Sequence, residues 1–325
     1  MLLSEKYIPL NLENSIINKK ITTKLIHFTK ETFTNIVFYG VNGTGKYTLT
    51  FLLIKHLFGC EEIKTKKKTF NLNKKEFVFR ASNVHYEICM YDTVNRHTIK
   101  EILILLSSSV NIYTNYPNII VIKQAQYLFP ETVKLIKTLI EKKRVIFILL
   151  TNSLNMLNNG LINNFIKIRI PTIDTAELVS LLKLIKKKEK IKIYIKDIKQ
   201  IINSNKNNIT RIIYNLELYK NSESVVTSTK LEDKLDYLIK MICSDKKYDN
   251  IKTIRKELYD ICSHHNNRTM IVKYLYNNII NKHICIKKKA ELTKLTADIQ
   301  HKLVYSYRNI IHLEYYISEL IHYVN

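Results

Sequence analysis

The chain has 325 residues, of which 46% are apolar and 25% charged, a balance that allows a buried core in two or three domains. No run of 18 apolar residues occurs, and Glu5 and Lys6 break the N-terminus, which excludes an apolar membrane span and a secretory signal and leads to the expectation of an intracellular protein. The net charge of +24 predicts association with a polyanion through phosphate neutralisation, on top of a Lys/Asn/Ile bias that raises charge everywhere.

Residues 1–35 open with Glu5-Lys6-Tyr7-Ile8-Pro9 and continue as a polar, helix-like stretch ending near Thr34. The apolar run Ile36-Val37-Phe38 predicts a strand and leads into Gly40-Val41-Asn42-Gly43-Thr44-Gly45-Lys46-Tyr47-Thr48, which holds three of the five glycines. Leu49, Leu52, Leu53 and Leu57 then recur at helical spacing up to Gly59, a C-terminal stop. Lys64 to Lys68 reads as a basic turn, and Phe77–Phe79 and His85–Ile88 read as short strands. Arg96 to Leu106 returns to helical spacing. Ile119–Ile122 and Val145–Leu150 are continuous apolar runs suited to parallel strands buried on both faces, with a helix over Glu131–Lys142 announced by Pro130. Asp174–Lys188, Tyr194–Ser204 and Asn208–Tyr219 are three further helical segments, Asn221-Ser222-Glu223-Ser224 reads as a linker, and everything beyond it is helical. In the last stretch Leu292, Leu295, Ile299, Leu303, Tyr307, Ile310, Leu313, Ile317, Leu320 and Val324 form one stripe, expected to need a partner surface.

The spacing Gly-x4-Gly-Lys after a strand and before a helix is that of a phosphate-binding loop. Unpaired backbone N–H groups at the helix start would point at a phosphate, and Lys46 would add a point charge. The position after the lysine, where a Ser or Thr hydroxyl ordinarily holds Mg²⁺, is Tyr47, and Thr48 lies about 100° further round the helix. Five cysteines, Cys60, Cys89, Cys243, Cys262 and Cys285, show no Cys-x-x-Cys pair and suit buried thiols in a reducing compartment. A metal site from Cys262, His264, His283 and Cys285 lacks the spacing of a zinc motif, and no metal site is expected.

With these features in place, the sequence resembles the small subunits of replication factor C, sliding-clamp loaders of the AAA+ class, over nearly its whole length. Glu5-Lys6-Tyr7-Ile8-Pro9 is similar to the family's Glu-Lys-Tyr-Arg-Pro motif, which implies that Tyr7 and Pro9 lie against the adenine. Asn152 matches its first sensor. Ala81-Ser82-Asn83-x-His85-x-Glu87, Arg255-x-x-Leu258-Tyr259 and His312-Leu313-Glu314 resemble the branch called subunit three in animals and subunit five in yeast, which also lacks Ser/Thr after the loop lysine. The acidic pair expected after the strand Ile119–Ile122 reads Lys123-Gln124, the arginine-finger motif aligns with Asn163-Asn164-Phe165, and the lid's sensor arginine aligns with Thr210, beside Arg211.

The resemblance implies an α/β P-loop AAA+ domain with a parallel sheet over 1–171, a small helical lid over 172–221 and an all-α collar over 222–325. It implies ATP or ADP bound by Gly40, Asn42, Gly43, Thr44, Gly45, Lys46, Tyr47, Thr48, Tyr7, Pro9 and Asn152, with Mg²⁺ held weakly if at all, without efficient hydrolysis. Paralogous clamp-loader subunits, a sliding clamp and primer–template DNA are the implied partners, in a nucleus, a reduced nucleus or a viral replication compartment, with no membrane. Arg96 and Lys100, four apart at the start of one helix, are the candidate DNA contacts. An active AAA+ ATPase acting on DNA or protein, and a basic nucleic-acid-binding protein with a relict loop, are the competing readings.

Overall fold

The structure, a computed structural model, describes residues 2–60, 63–72, 75–90, 96–108, 116–205, 207–222, 230–244, 250–265, 268–282, 286–305 and 309–324. The chain divides into two compact units, Met1–Val226 and Thr227–Asn325.

The first unit runs α1 (Leu3–Lys6), α2 (Lys19–Ile26), β1 (Ile36–Tyr39), α3 (Lys46–Phe58), β2 (Lys66–Leu72), β3 (Lys75–Ala81), β4 (His85–Cys89), α4 (Arg96–Ser108), β5 (Asn118–Lys123), α5 (Pro130–Glu141), β6 (Val145–Thr151), α6 (Asn159–Ile162), β7 (Ile166–Arg169), α7 (Thr175–Glu189), α8 (Ile195–Ser204) and α9 (Ile209–Ser222). One seven-stranded sheet has the order β2-β3-β4-β5-β6-β1-β7. From β4 to β7 every pairing is parallel. Ile36, Val37 and Phe38 of β1, between β6 and the edge strand β7, are fully buried. Burying such side chains stabilises the fold by about 1.5–3 kcal/mol each.

The sheet is mixed rather than wholly parallel. Residues 64–68, read as a basic turn, belong largely to the edge strand β2, which pairs antiparallel with β3, as β3 does with β4. Only residues 73–74 separate β2 from β3, too few for the crossover a parallel pair requires. Lysines 66, 67 and 68 suit that edge because charge on an edge strand opposes pairing with another chain. The helix-like N-terminal stretch also ends earlier than Thr34, at Ile26. Beyond it the Thr32 hydroxyl accepts from Thr29 N–H at 3.0 Å and donates to the Thr29 carbonyl at 3.3 Å, local bonds that compete with the helix.

Helices α7, α8 and α9 have a core of their own, built on Leu178, Leu182, Ile185, Ile198, Ile201, Ile212 and Leu216 and joined by Leu3. Asn221 and Ser222, read as linker, are the last residues of α9; 223–229 lie outside the described residues.

The second unit contains α10 (Lys230–Ile242), α11 (Ile251–His264), α12 (Arg268–Lys282), α13 (Ile286–Tyr305) and α14 (Asn309–Tyr323). The described part of the C-terminal stripe is divided between α13 and α14, with Tyr307 outside the described residues, and much of it is covered by the unit itself: Leu292, Ile299, Leu303, Leu313, Ile317 and Leu320 are buried in this unit's own core, around Tyr316, whose hydroxyl meets Thr296 Oγ1 at 3.1 Å, while Leu295 and Ile310 are partly buried. Folding back of two helices brings the apolar faces together, which a linear periodicity cannot register. Two segments singled out in the sequence also meet here, Arg255 Nε donating to Glu314 Oε1 at 2.7 Å.

Candidate nucleotide-binding site

The loop between β1 and α3 takes its shape from glycine. Gly43 has φ +80°, and a Cβ there would come within 2.1 Å of the Asn208 side chain. Asn208 precedes α9, accepts from Arg211 N–H, and leaves Ile209 N–H to donate to the Gly43 carbonyl at 3.0 Å. The start of α9 therefore rests on the loop only because position 43 has no side chain. Thr44 is buried and donates to the Val41 carbonyl at 2.9 Å, which closes the turn. Lys46 Nζ donates to the Gly40 and Val41 carbonyls at 2.6 and 2.8 Å, and burial lowers its pKa to about 8. A desolvated ammonium whose bonds go to neutral carbonyls is suited to an anion.

Two cavities flank the loop and share Gly45, Thr48 and Thr210. The larger, about 470 Å³, is lined mainly by Tyr7, Ile8, Pro9, Ile17, Leu181 and Ile213, which suits a flat, partly apolar ring. The smaller, about 270 Å³, is lined by Asn42, Gly43, Lys46, Tyr47, Lys123 and Asn152 with their neighbours, which suits a polyphosphate. Sequence reading placed Tyr7, Pro9, Thr48 and Asn152 in one site, and the fold brings all four to this pair of cavities. Tyr7 also ties the N-terminal segment to α7 and α9: its hydroxyl donates to Glu189 Oε1 at 2.8 Å, beside Lys6 at 2.6 Å, while Lys220 reaches Oε2 at 2.9 Å. Lys6 first, then Lys220 and Tyr7, hold the Glu189 carboxyl at about 2.

Tyr47 has a task that sequence reading missed. Its ring keeps part of its surface in solvent, while its hydroxyl turns inward and donates to Glu87 Oε1 at 2.9 Å. Glu87, on β4, is 3% exposed, and His85 Nε2 lies 3.0 Å from the same oxygen. Lys123 Nζ, at the end of β5, is 2.7 Å from Glu87 Oε2 as an ionic contact rather than an aligned hydrogen bond, and 3.8 Å from the centre of the Tyr47 ring. Burial alone would push the Glu87 carboxyl up, yet His85, Lys123 and Tyr47 together bring it down to about 2. Burial and Glu87 push the Tyr47 phenol well above its ordinary range, keeping it a donor. The parallel register pairs Glu87 with Val121, and Lys123 stands one pleat beyond on the same face. A carboxylate on a buried strand was the available signal, since such a group requires partners.

These residues do not fit Mg²⁺. A hard dication takes oxygen ligands, typically carboxylates beside phosphates, and the residues lining the smaller cavity include no Asp or Glu. Among the described residues, the nearby carboxylate Glu87 is turned to Tyr47, His85 and Lys123. Two ammonium groups already line the space, and unit like charges at about 4 Å repel by about 4 kcal/mol at an effective dielectric near 20.

The other sequence candidates are placed as follows. Thr210 borders both cavities, whereas Arg211 borders neither. Asn163 and Asn164 are exposed after α6, and Phe165 is buried. Lys100 on α4 forms an ion pair with Glu131 on α5, linking the two helices. Arg96 begins α4, and its side chain lies outside the described residues, as do His283 and Cys285. Among the described residues no helix is long and apolar enough to cross a membrane.

No family model matches the chain. Among curated proteins it is similar to replication factor C subunit 3 of Arabidopsis thaliana, 22% identical over 98% of this chain and 96% of that one. Replication factor C subunit 5 of Saccharomyces cerevisiae is 23% identical over 97% of each chain. Subunit 3 of Homo sapiens is 21% identical over 97% of this chain and 94% of its own.

Proposed function

We infer that this chain, a distant full-length homologue of the replication factor C small subunits, is a clamp-loader subunit that binds ATP or ADP and hydrolyses it poorly if at all. The observation that supports the role most directly is the span of the likeness: it covers both the sheet-bearing unit and the helical unit, not the loop alone. In this reading 1–171 is the nucleotide domain, 172–221 the lid and 222–325 the collar through which paralogous subunits assemble. The complex opens a sliding clamp and places it on primer–template DNA in a nucleus or a viral replication compartment, and this chain's contribution is geometric.

Within the site, Gly43, Gly45 and Lys46 would hold the phosphates, Tyr7 and Pro9 would border the base, and Asn152 and Thr210 would face the terminal phosphate. Poor hydrolysis follows from chemistry that is replaced: a phenol committed to Glu87 stands at the magnesium-ligand position, and Lys123 and Gln124 stand where acids would activate water. Arginine fingers elsewhere in phosphoryl transfer accelerate hydrolysis by about 10³–10⁵, and asparagines occupy the aligned positions. The test is steady-state hydrolysis by the purified full chain alongside direct nucleotide binding. Saturable binding abolished by Lys46→Ala, with turnover far below about 1 s⁻¹, is expected. Turnover at or above that rate that disappears in Lys46→Ala would identify an active ATPase instead.

A further inference from the structure

The residues that exclude Mg²⁺ also supply a replacement for it. Lys123 lines the phosphate cavity together with Lys46, Asn42 and Gly43, and no Asp or Glu is among those lining residues. It does not dangle there. Glu87 Oε2 holds its ammonium at 2.7 Å, the Tyr47 ring lies beneath it at 3.8 Å, and Glu87 is itself fixed by Tyr47 and by His85, whose other ring nitrogen meets Ser82 Oγ at 2.7 Å. The lysine side chain keeps 25% of its surface exposed, whereas Glu87 keeps 2%, so the cation and not the carboxylate is presented to the cavity.

We propose that Lys123, oriented by Glu87 and Tyr47, is a built-in cation that takes the place of the divalent metal, so that this site binds the polyphosphate of a free nucleoside di- or triphosphate without Mg²⁺. The proposal rests on the nucleotide-binding reading above and adds the ionic form of the ligand to it. A metal ion bridging phosphates neutralises their charge and fixes their conformation. An ammonium with three donors does the first and, when anchored on a carboxylate and an aromatic face, is preorganised for the second. It does not polarise an attacking water as an acid would, so phosphate retention is separated from hydrolysis. The arrangement gives Tyr47 a purpose that a Ser or Thr could not serve, because only a long side chain carries a hydroxyl from the loop to β4 while its ring supports the lysine.

The experiment is a calorimetric titration of the full chain with ADP and with ATP, in EDTA and in millimolar MgCl₂, for the wild type, Lys123→Met and Lys46→Ala. Wild-type affinity is expected to be equal or higher in EDTA, and Lys123→Met is expected to lose about tenfold or more in EDTA and less in MgCl₂. A wild-type affinity that rises about tenfold on adding MgCl₂, or a Lys123→Met protein that binds in EDTA as well as the wild type, would overturn the proposal while leaving nucleotide binding intact. No binding of either nucleotide to the wild type under either condition would instead refute the nucleotide-binding reading, and the proposal with it. Should Lys123→Met fail to melt cooperatively, the wild-type comparison with and without metal decides by itself.

Discussion

Replacing Glu87 by Gln keeps the shape of the side chain and removes the charge on which Tyr47, His85 and Lys123 converge. The carboxyl's ordinary value of 4.5 falls to about 2 in the folded chain. Because the folded value is depressed, the associated stability is present above about pH 4.5 and is lost as pH falls toward about 2. A difference of that size corresponds to about 3 kcal/mol at neutral pH, the same order as breaking one partner of a buried ion pair, about 3–5 kcal/mol. Urea unfolding of the wild type and Glu87→Gln, followed by far-ultraviolet circular dichroism, is the assay. The variant is expected to be less stable by about 3 kcal/mol at pH 7, with the gap narrowing steadily below about pH 4.5. Equal stability at pH 7, or a gap undiminished at low pH, would refute the view that the carboxylate is held charged by its three partners.

Gly43→Ala places a Cβ against Asn208 and holds an L residue at φ +80°, a conformation that costs on the order of 1–3 kcal/mol; displacement of α9 from the loop and a loss of nucleotide affinity of about tenfold are expected, and unchanged calorimetric affinity would refute the close-approach argument. Lys46, lowered to about 8 by burial, should regain its proton on meeting phosphate, so nucleotide binding measured near and above that pH should take up protons and depend on the buffer's ionisation enthalpy; no dependence would count against a phosphate contact at Nζ. Lys100→Ala should weaken DNA binding by the assembled complex and flatten its salt slope by about one, and Glu131→Gln, which frees Lys100, should strengthen it; if neither changes the slope, the pair only joins α4 to α5. A chain ending at Val226 should melt cooperatively, since the cores of the first unit close without residues from the second; aggregation on expression would contradict that independence.

Much of this protein was determined by local sequence. Ile36–Phe38, Ile119–Ile122 and Val145–Leu150 are apolar at every position, and a strand buried on both faces needs no other pattern. Gly43, Gly45 and Lys46 announce the loop because its chemistry is a matter of spacing along one turn. β2 escaped notice because an edge strand of lysines has no apolar alternation, and β7 because it is four residues long and largely exposed. The C-terminal stripe was visible, but whether a partner or the chain itself covers it depended on how α13 and α14 fold back. The ligand form accepted by the site was least legible of all. Tyr47, Glu87 and Lys123 read singly as a lost hydroxyl, a strand carboxylate and a lost acid. Only the parallel register of β4 on β5, with α3 laid across them, puts an ammonium, a carboxylate and a ring within contact, and it is their separation in space, not along the chain, that sets the charge the site presents.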